Sequence, residues 1–176
     1  MIDQFKFIFL GEFDISSFKK KILTLTEDDW DDYTYRQRTF REHARTKTIP
    51  LLFNEQFTDF PNKFKYYSMF EDEVLELEKF LFDYYKSGKI IRCIMTKLSA
   101  NSIIPRHADG GNSLREAHRH HIAIITNPKI LFEVELEVKN MKPGEVWEIN
   151  NSVHHSVENR SDLDRIHIIV DWNTKY

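Results

Sequence analysis

The chain has 176 residues, of which 30% are charged and 14% aromatic, and its formal net charge is -3. This length suits one domain around a single core, and the charge balance gives no general attraction to nucleic acid or to an anionic membrane. Cys93 is the single cysteine, which excludes an internal disulfide and is typical of a reducing compartment. A stretch of about 18 apolar residues and a signal-peptide pattern are both missing, so we expect a cytoplasmic protein.

The first half of the chain predicts two strands and two helices. Residues 4–10 and 48–53 are short runs rich in apolar residues, as strands are. A helix is predicted over about 17–27, with Asp14 or Ser16 as its cap. A longer helix is predicted over 70–86, with Gly88 closing it. Its apolar stripe is formed by Val74, Leu75, Leu77, Leu81, Tyr84 and Tyr85.

Between these elements, residues 28–47 are rich in Asp, Arg and Tyr and too charged to form core. One interpretation is a solvated loop. The other is a lid or a wall that faces a substrate.

After residue 88 the pattern changes to short strands separated by turns. Seven segments have this character, at 89–99, 102–108, 118–126, 130–138, 144–150, 154–159 and 165–172. Many short strands at close spacing predict an antiparallel sandwich or barrel. We therefore expect a mainly β fold, a cupin-like double-stranded β-helix (jelly roll) with the N-terminal helices packed on its outside. The whole chain, 1–176, would be one domain, with supporting elements in 1–88 and the core barrel in 89–173.

Two histidines and one aspartate have the composition of a non-haem iron site. His107 and Asp109 are two residues apart, so both side chains can lie on one face of a strand. Either His154 or His155 can supply the third ligand, because neighbouring strand residues face opposite ways; we favour His155, partly on the resemblance described below. Two imidazoles and one carboxylate leave positions open on the metal, which suits Fe(II). The alternative is that these histidines are ordinary surface and core residues.

Arg165 begins a strand in which residues 165, 167, 169 and 171 share one face. If that face is the barrel interior, the guanidinium needs an anionic partner, because an unpaired buried charge is very costly. The partner can be Asp171 or Glu148 in a structural salt bridge, or a ligand carboxylate. Beside an Fe(II) site, an inward arginine suits 2-oxoglutarate, with the guanidinium on its distal carboxylate.

Further positive charge follows the His107 turn. Arg115, His118 and Arg119 lie near the expected mouth of the barrel, where they would suit a substrate carboxylate. For Arg115 and His118 a solvated loop is an equal alternative.

The segment HSVENRSDLDRIHIIVDW, residues 155–172, resembles the aspartyl/asparaginyl β-hydroxylase family of Fe(II)/2-oxoglutarate dioxygenases, to which bacterial proline cis-hydroxylases are related. The resemblance covers residues 90–173, with a weaker similarity at YRQRTFREHARTKTIPL. A second matching pattern is R-x-H-x-x-x-x-T-N, found here as Arg119, His121, Thr126 and Asn127.

The resemblance implies a role for several residues. His107 and His155 would bind iron, and Arg165 would take the distal carboxylate of 2-oxoglutarate. His121 would lie near the iron-bound end of that cosubstrate, and Thr96 beside its distal carboxylate. Arg119 would meet a carboxylate-bearing substrate. Some family members lack the metal carboxylate; Asp109 predicts the full three-ligand site here.

The leading hypothesis is therefore an Fe(II)/2-oxoglutarate-dependent dioxygenase, with O2 as second cosubstrate, that hydroxylates an amino acid side chain of Asp, Asn or Pro type, free or within a peptide. No nucleic-acid or membrane partner is expected, and the oligomeric state stays open. A second hypothesis is a non-catalytic cupin-like module that binds a metal or a carboxylate. A third is a metal-dependent isomerase or hydrolase that works without oxygen.

Overall fold

The computed structural model describes residues 5–56, 58–110 and 116–176. Eleven strands lie within these ranges: β1 (Phe7–Glu12), β2 (Thr46–Phe53), β3 (Asn62–Lys63), β4 (Lys89–Leu98), β5 (Ser102–His107), β6 (His118–Ile125), β7 (Ile130–Val134), β8 (Glu137–Lys139), β9 (Glu145–Ile149), β10 (His155–Asn159) and β11 (Arg165–Asn173). Each strand predicted from the sequence is present. The segment 130–138 is the exception in form, since it divides into β7 and β8 at two residues with positive φ, Glu135 and Leu136.

The strands form two antiparallel sheets. The larger has the order β1-β9-β6-β11-β4-β2-β3, and the smaller has the order β5-β10-β7-β8. Their facing sides share one apolar cluster, to which Leu98 and Ile149 come from the larger sheet and Ile104, Phe132 and Val157 from the smaller. The expected mainly β, double-stranded β-helix architecture is confirmed.

The helices are α1 (Ser16–Ile22), α2 (Glu27–Asp31), α3 (Tyr35–Thr39) and α4 (Glu71–Tyr85), with short 3₁₀ turns at Arg41–His43 and Tyr67–Met69. The helix predicted over 17–27 is thus too long. It stops at Ile22 because Thr26 starts α2, through a reciprocal pair of bonds with Asp29. Neither expected cap occupies the N-cap position, which is Ile15 and makes no side-chain cap bond; Asp14 Oδ1 instead accepts the backbone N–H of Ser16 at 2.9 Å where the helix starts.

Helix α4 packs on the outer side of the larger sheet through Val74, Leu77 and Leu81, which are buried. The wider stripe predicted from the sequence is wrong at two positions, since Leu75 and Tyr84 are about half exposed. Leu75 is rotated about 100° from Val74 around the helix axis, away from the sheet. The helix ends at Tyr85, and Lys86, in the left-handed conformation, takes the closing position expected of Gly88. Within the described ranges, every helix is too short or too polar to cross a membrane.

The polar segment 28–47 folds into α2, α3 and the 3₁₀ turn, and it buries Trp30, Arg36 and His43. Helix α3 contacts β2 of the larger sheet, while the turn contacts β5 of the smaller. The segment therefore bridges the two sheets at one end of the barrel. Its folded contacts rule out the solvated-loop interpretation.

Alternation along β11 decides which side chains reach the space between the sheets. The inward set is Arg165, His167, Ile169 and Asp171, and the outward set, which packs toward α4, is Ile166, Ile168, Val170 and Trp172. A strand buried on both faces is expected where helices cover one side and a second sheet the other. The inward set is unusually polar for such a position, and it forms one wall of the site.

Candidate functional site

His107, Asp109 and His155 converge at the open end of the barrel. The two histidines are directly paired across β5 and β10, with ring centroids 4.4 Å apart. Asp109 Oδ1 lies 3.8 Å from His107 Nε2, and Asp109 Oδ2 lies 3.7 Å from His155 Nε2. One potential ligand atom from each residue falls within 4.8 Å of the others. In the described part of the chain this is the one such cluster, and its donor types suit Fe(II).

Backbone carbonyls orient both imidazoles for metal binding. His107 Nδ1 donates to the carbonyl of Pro105 at 2.7 Å, and His155 Nδ1 donates to that of Val153 at 3.0 Å. A carbonyl can only accept, so each Nδ1 holds the proton and each Nε2 keeps its lone pair. Such outer contacts fix the tautomer of metal-binding histidines. Burial, the largest influence, lowers the pKa of His155 and keeps it neutral.

Arg119 holds the carboxylate of Asp109 in place. Its Nη1 donates to Asp109 Oδ2, while Nε and Nη2 donate to the two oxygens of Asp171 at 2.8 and 2.9 Å. Arg92 Nη1 completes the group, 2.5 Å from Asp171 Oδ2. Burial would raise the pKa of Asp109, but the guanidinium of Arg119 outweighs it and lowers that pKa. Two cations and two anions thus balance each other beside the candidate metal site.

A cavity of about 420 Å³ extends from the His107, Asp109 and His155 cluster into the barrel. Its polar wall includes Thr96, His121 and Arg165, and its apolar wall is formed by Ile104, Phe132, Val157 and Ile169. A concave site with one apolar wall and several convergent polar groups is typical of small-molecule binding.

Arg165 is 2% exposed and lies in the wall of this cavity. Within the described ranges no carboxylate comes within ion-pair distance of it. Its Nη2 donates to His167 Nδ1 at 2.7 Å, and its Nε has no hydrogen-bond partner among the described atoms. Burial lowers the pKa of Arg165 to about 9, which still leaves the guanidinium charged at neutral pH.

The two carboxylates considered as structural partners of Arg165 are used elsewhere. Asp171 is bonded to Arg119 on the same face of the sheet. Glu148 lies on the opposite face, where it accepts from His118 Nδ1 at 2.7 Å. The structural salt bridge is therefore not formed, and the charge of Arg165 is directed into the cavity.

His121 and Thr96 lie in the same wall as Arg165. His121 is buried, and its Nδ1 has no partner among the described atoms. Burial lowers the pKa of His121 well below its usual value, and the neighbouring Arg165 lowers it further. Thr96 Oγ1 donates to the backbone carbonyl of His167 at 3.3 Å. Both residues are placed where a ligand held by Arg165 would contact them.

The positive groups expected at the mouth have other partners or lie outside the structure. Arg119 was expected to meet a substrate carboxylate, but three of its nitrogens are bonded to Asp109 and Asp171, so its contacts favour a positioning role instead. His118 is bonded to Glu148 on the outer face. Arg115 lies outside the described residues.

His154, the rival to His155, is exposed and lies 3.6 Å from Glu135 on the outside of the smaller sheet. The expectation that neighbouring strand residues face opposite ways therefore holds for this pair.

Arg36 and His43, which the sequence did not single out, also reach the site. They come from the segment 28–47, and both line the cavity that contains Arg165 and His107. They were missed because the segment around them is as polar as a solvated loop. The one available signal was the weak family similarity at YRQRTFREHARTKTIPL.

Comparison with known proteins agrees with this picture. A family model described as aspartyl/asparaginyl beta-hydroxylase matches residues 76–174, more than half of the chain. No curated protein sequence matches. Among solved structures, an oxidoreductase of the 2OG-Fe(II) oxygenase family from Burkholderia pseudomallei superposes with a TM-score of 0.57 and 12% identity, over 73% of this chain and 66% of its own.

Two further solved structures have lower TM-scores. The Cnp3 cupin domain of Schizosaccharomyces pombe has a TM-score of 0.44 and 11% identity, over 74% of this chain and 66% of its own. A predicted oxalate decarboxylase from Thermotoga maritima has a TM-score of 0.40 and 12% identity, over 72% of this chain and 78% of its own. At such low identity the oxygenase likeness concerns the fold, and this chain spans 66% of that oxygenase's length.

Proposed function

Because this chain belongs to the aspartyl/asparaginyl β-hydroxylase family, we propose that it is an Fe(II)- and 2-oxoglutarate-dependent dioxygenase. Its substrate would be an amino acid, free or within a peptide, that is hydroxylated at a side-chain carbon. The observation that supports this best is the placement of Arg165, a buried arginine with no carboxylate partner among the described residues, in the same cavity as the His107, Asp109 and His155 cluster.

The three-residue cluster would hold the metal. His107 and His155 offer Nε2 lone pairs whose direction is set by backbone carbonyls, and Asp109 offers a carboxylate oxygen. When bound, Fe(II) supplies the oxidation of an unactivated C–H bond by O2, coupled to conversion of 2-oxoglutarate to succinate and CO2. Three protein donors leave positions open for cosubstrates.

Arg165 would anchor the distal carboxylate of 2-oxoglutarate. A guanidinium binds a carboxylate through two parallel hydrogen bonds. The Nε of Arg165 has no partner among the described atoms and could donate one of them. His167 accepts from Nη2 on one side and fixes the plane of the group. Thr96 and His121 would contact the same ligand along its length. The apolar wall, including Phe132 and Val157, would exclude water from the reacting centre.

The test measures metal binding and cosubstrate turnover in the same variants. We expect Mn(II), as a stand-in for Fe(II), to bind the wild type, and succinate to form from 2-oxoglutarate under Fe(II) and O2. Asp109→Ala and His155→Ala should remove both properties. His154→Ala is the matched control, because that histidine is adjacent in sequence but faces outward, and it should behave as the wild type.

The rival hypotheses give different results in this assay. A non-catalytic module would bind metal but release no succinate under any condition. An isomerase or hydrolase would also release no succinate, and it would convert its own substrate equally well without O2. Either result would remove the dioxygenase proposal.

A further inference from the structure

A second cavity adjoins the one assigned to 2-oxoglutarate. It has about 470 Å³ of open space, and Arg36, His43, Asp109 and Arg119 line both cavities. Its remaining wall comes largely from the 28–47 segment and from the inner face of β4. Because Asp109 borders both spaces, a molecule in the second cavity would lie next to the candidate metal site. This is the position that a primary substrate must occupy.

One cation at the second cavity has no carboxylate partner among the described residues. Arg92 and Arg119 are matched by Asp171 and Asp109 in the buried group described above. Arg36, which is 8% exposed, remains as an additional cation. Glu42 borders the cavity, but among the described residues neither it nor any other carboxylate lies within ion-pair distance of Arg36.

The contacts of Arg36 are with neutral groups. Its Nη2 lies 2.8 Å from His43 Nε2, and its Nη1 donates to Thr48 Oγ1 at 3.4 Å. Arginine can only donate, so His43 Nε2 accepts and the proton of that ring is on Nδ1. His43 Nδ1 is buried and has no partner among the described atoms. A guanidinium and an unused N–H therefore meet beside His107, whose ring centroid is 5.6 Å from that of His43.

Burying a cation and a donor without an anionic partner is costly, and the cost is relieved when a ligand supplies the acceptor. We propose that Arg36, supported by His43, binds a carboxylate of the primary substrate and selects anionic substrates over neutral ones. This inference rests on the dioxygenase function proposed above. The carboxylate has two possible sources, the α-carboxylate of a free amino acid and the side chain of an acidic residue within a peptide.

The experiment compares Arg36→Met and Arg36→Lys with a matched control, Arg38→Met, on the same helix but exposed. Each protein, loaded with Mn(II) and the inert cosubstrate mimic N-oxalylglycine, is titrated with three sets of compounds. These are free amino acids including L-Asp, L-Asn and L-Pro, their α-amides, and short capped peptides containing Asp or Asn. Circular dichroism and thermal unfolding check that each variant is folded.

We expect at least one compound with a carboxylate to bind the wild type, and the compound in which that same carboxylate is an amide (the α-amide, or Asn in place of Asp) to bind about 100-fold more weakly. Arg36→Met should weaken that ligand by a similar factor, Arg36→Lys less, and Arg38→Met not at all. Binding of the free amino acid but not of the capped Asp peptide assigns the α-carboxylate, and the reverse assigns the side chain. N-oxalylglycine should bind equally to all four proteins.

Three results would overturn the proposal: equal binding of acid and amide, no loss in Arg36→Met, or no binding of any carboxylate compound. If Arg36→Met weakens N-oxalylglycine instead, Arg36 belongs to the cosubstrate cavity and the proposal is also wrong. Because these titrations need no turnover, a failure of the dioxygenase function is recognised separately, as wild type that binds ligands but releases no succinate.

Discussion

Two groups of buried charge lie on the inner face of the larger sheet, and they differ in how their charges are balanced. In the first, Asp171 is bonded to both Arg92 and Arg119, so the protein supplies its own counter-ions. In the second, Arg165 has a neutral histidine, His167, as its hydrogen-bond partner and no carboxylate nearby among the described residues. Both groups begin on β11, six residues apart.

The difference distinguishes a structural charge from a ligand-binding one. A cation that is buried with its counter-ion can stabilise the fold or orient a neighbour, as Arg119 does for Asp109. A cation buried without one lowers stability until a ligand arrives. All three arginines are buried, so the property that separates Arg119 from Arg165 and Arg36 is its bonding to carboxylates of the protein.

The largest expected effect is on stability, at Asp171. Asp171→Asn would leave Arg92 and Arg119 buried with one fewer anion, and breaking a buried pair from one side costs about 3–5 kcal/mol. We expect the free energy of unfolding, measured by urea denaturation, to fall by roughly that amount. Asp83→Asn, at an exposed site on α4, is the control and should change it by less than about 0.5 kcal/mol. A small loss of unfolding free energy in Asp171→Asn would show that Arg92 and Arg119 do not depend on Asp171 as their counter-ion.

The second prediction concerns Arg165, where we expect the substitution to weaken ligand binding and not to lower stability. Arg165→Met removes a buried charge that has no acidic partner in the described structure, so we expect stability to be unchanged or higher without cosubstrate. Binding of 2-oxoglutarate should weaken about 100-fold, or about 2.7 kcal/mol, because the carboxylate loses its guanidinium. Isothermal titration of the Mn(II)-loaded protein under nitrogen measures the affinity.

Arg160→Met serves as the control for Arg165, since Arg160 is exposed and paired with Glu158. Unchanged affinity for 2-oxoglutarate in Arg165→Met would refute the cosubstrate assignment. A large loss of stability in that variant would instead place Arg165 with the structural charges.

Much of this arrangement could be predicted from the sequence because it depends on strand periodicity. The spacing of His107 and Asp109, and the alternation from Arg165 to Asp171, specify faces of strands once the fold class is assigned. The partners on those faces could not be predicted, since they depend on which strands become neighbours. Arg119 is the example: its face was predictable, but its bonds to Asp171 require β6 to lie beside β11.

The segment 28–47 shows a different limit. Its α-helices are only five residues long and are held by contacts with β2, while the 3₁₀ turn is held by contacts with β5; no periodic pattern marks them in the sequence. Local polarity therefore left a solvated loop and a substrate-facing wall as open alternatives, and Arg36 and His43 were not assigned to the site.

The outer face of the same sheet supplies a pH dependence of stability, which is small within any one pH unit. His120 is fully buried there, and its Nε2–H donates to the hydroxyl of Tyr85, which donates in turn to Glu148. Burial lowers the pKa of His120 from 6.5 to about 4. Between these two values the unfolded chain binds a proton that the folded protein does not, so acidification favours unfolding.

We therefore expect His120 to contribute stability that is fully present above pH 6.5 and is lost as the pH falls toward 4. The slope from this one group is at most about 1.4 kcal/mol per pH unit. Urea denaturation at half-unit intervals should show a shallower acid decline in His120→Gln than in the wild type, while His154→Gln, at an exposed position, keeps the wild-type slope. Equal slopes in all three proteins would mean that His120 takes up its proton without unfolding, and that burial does not lower its pKa.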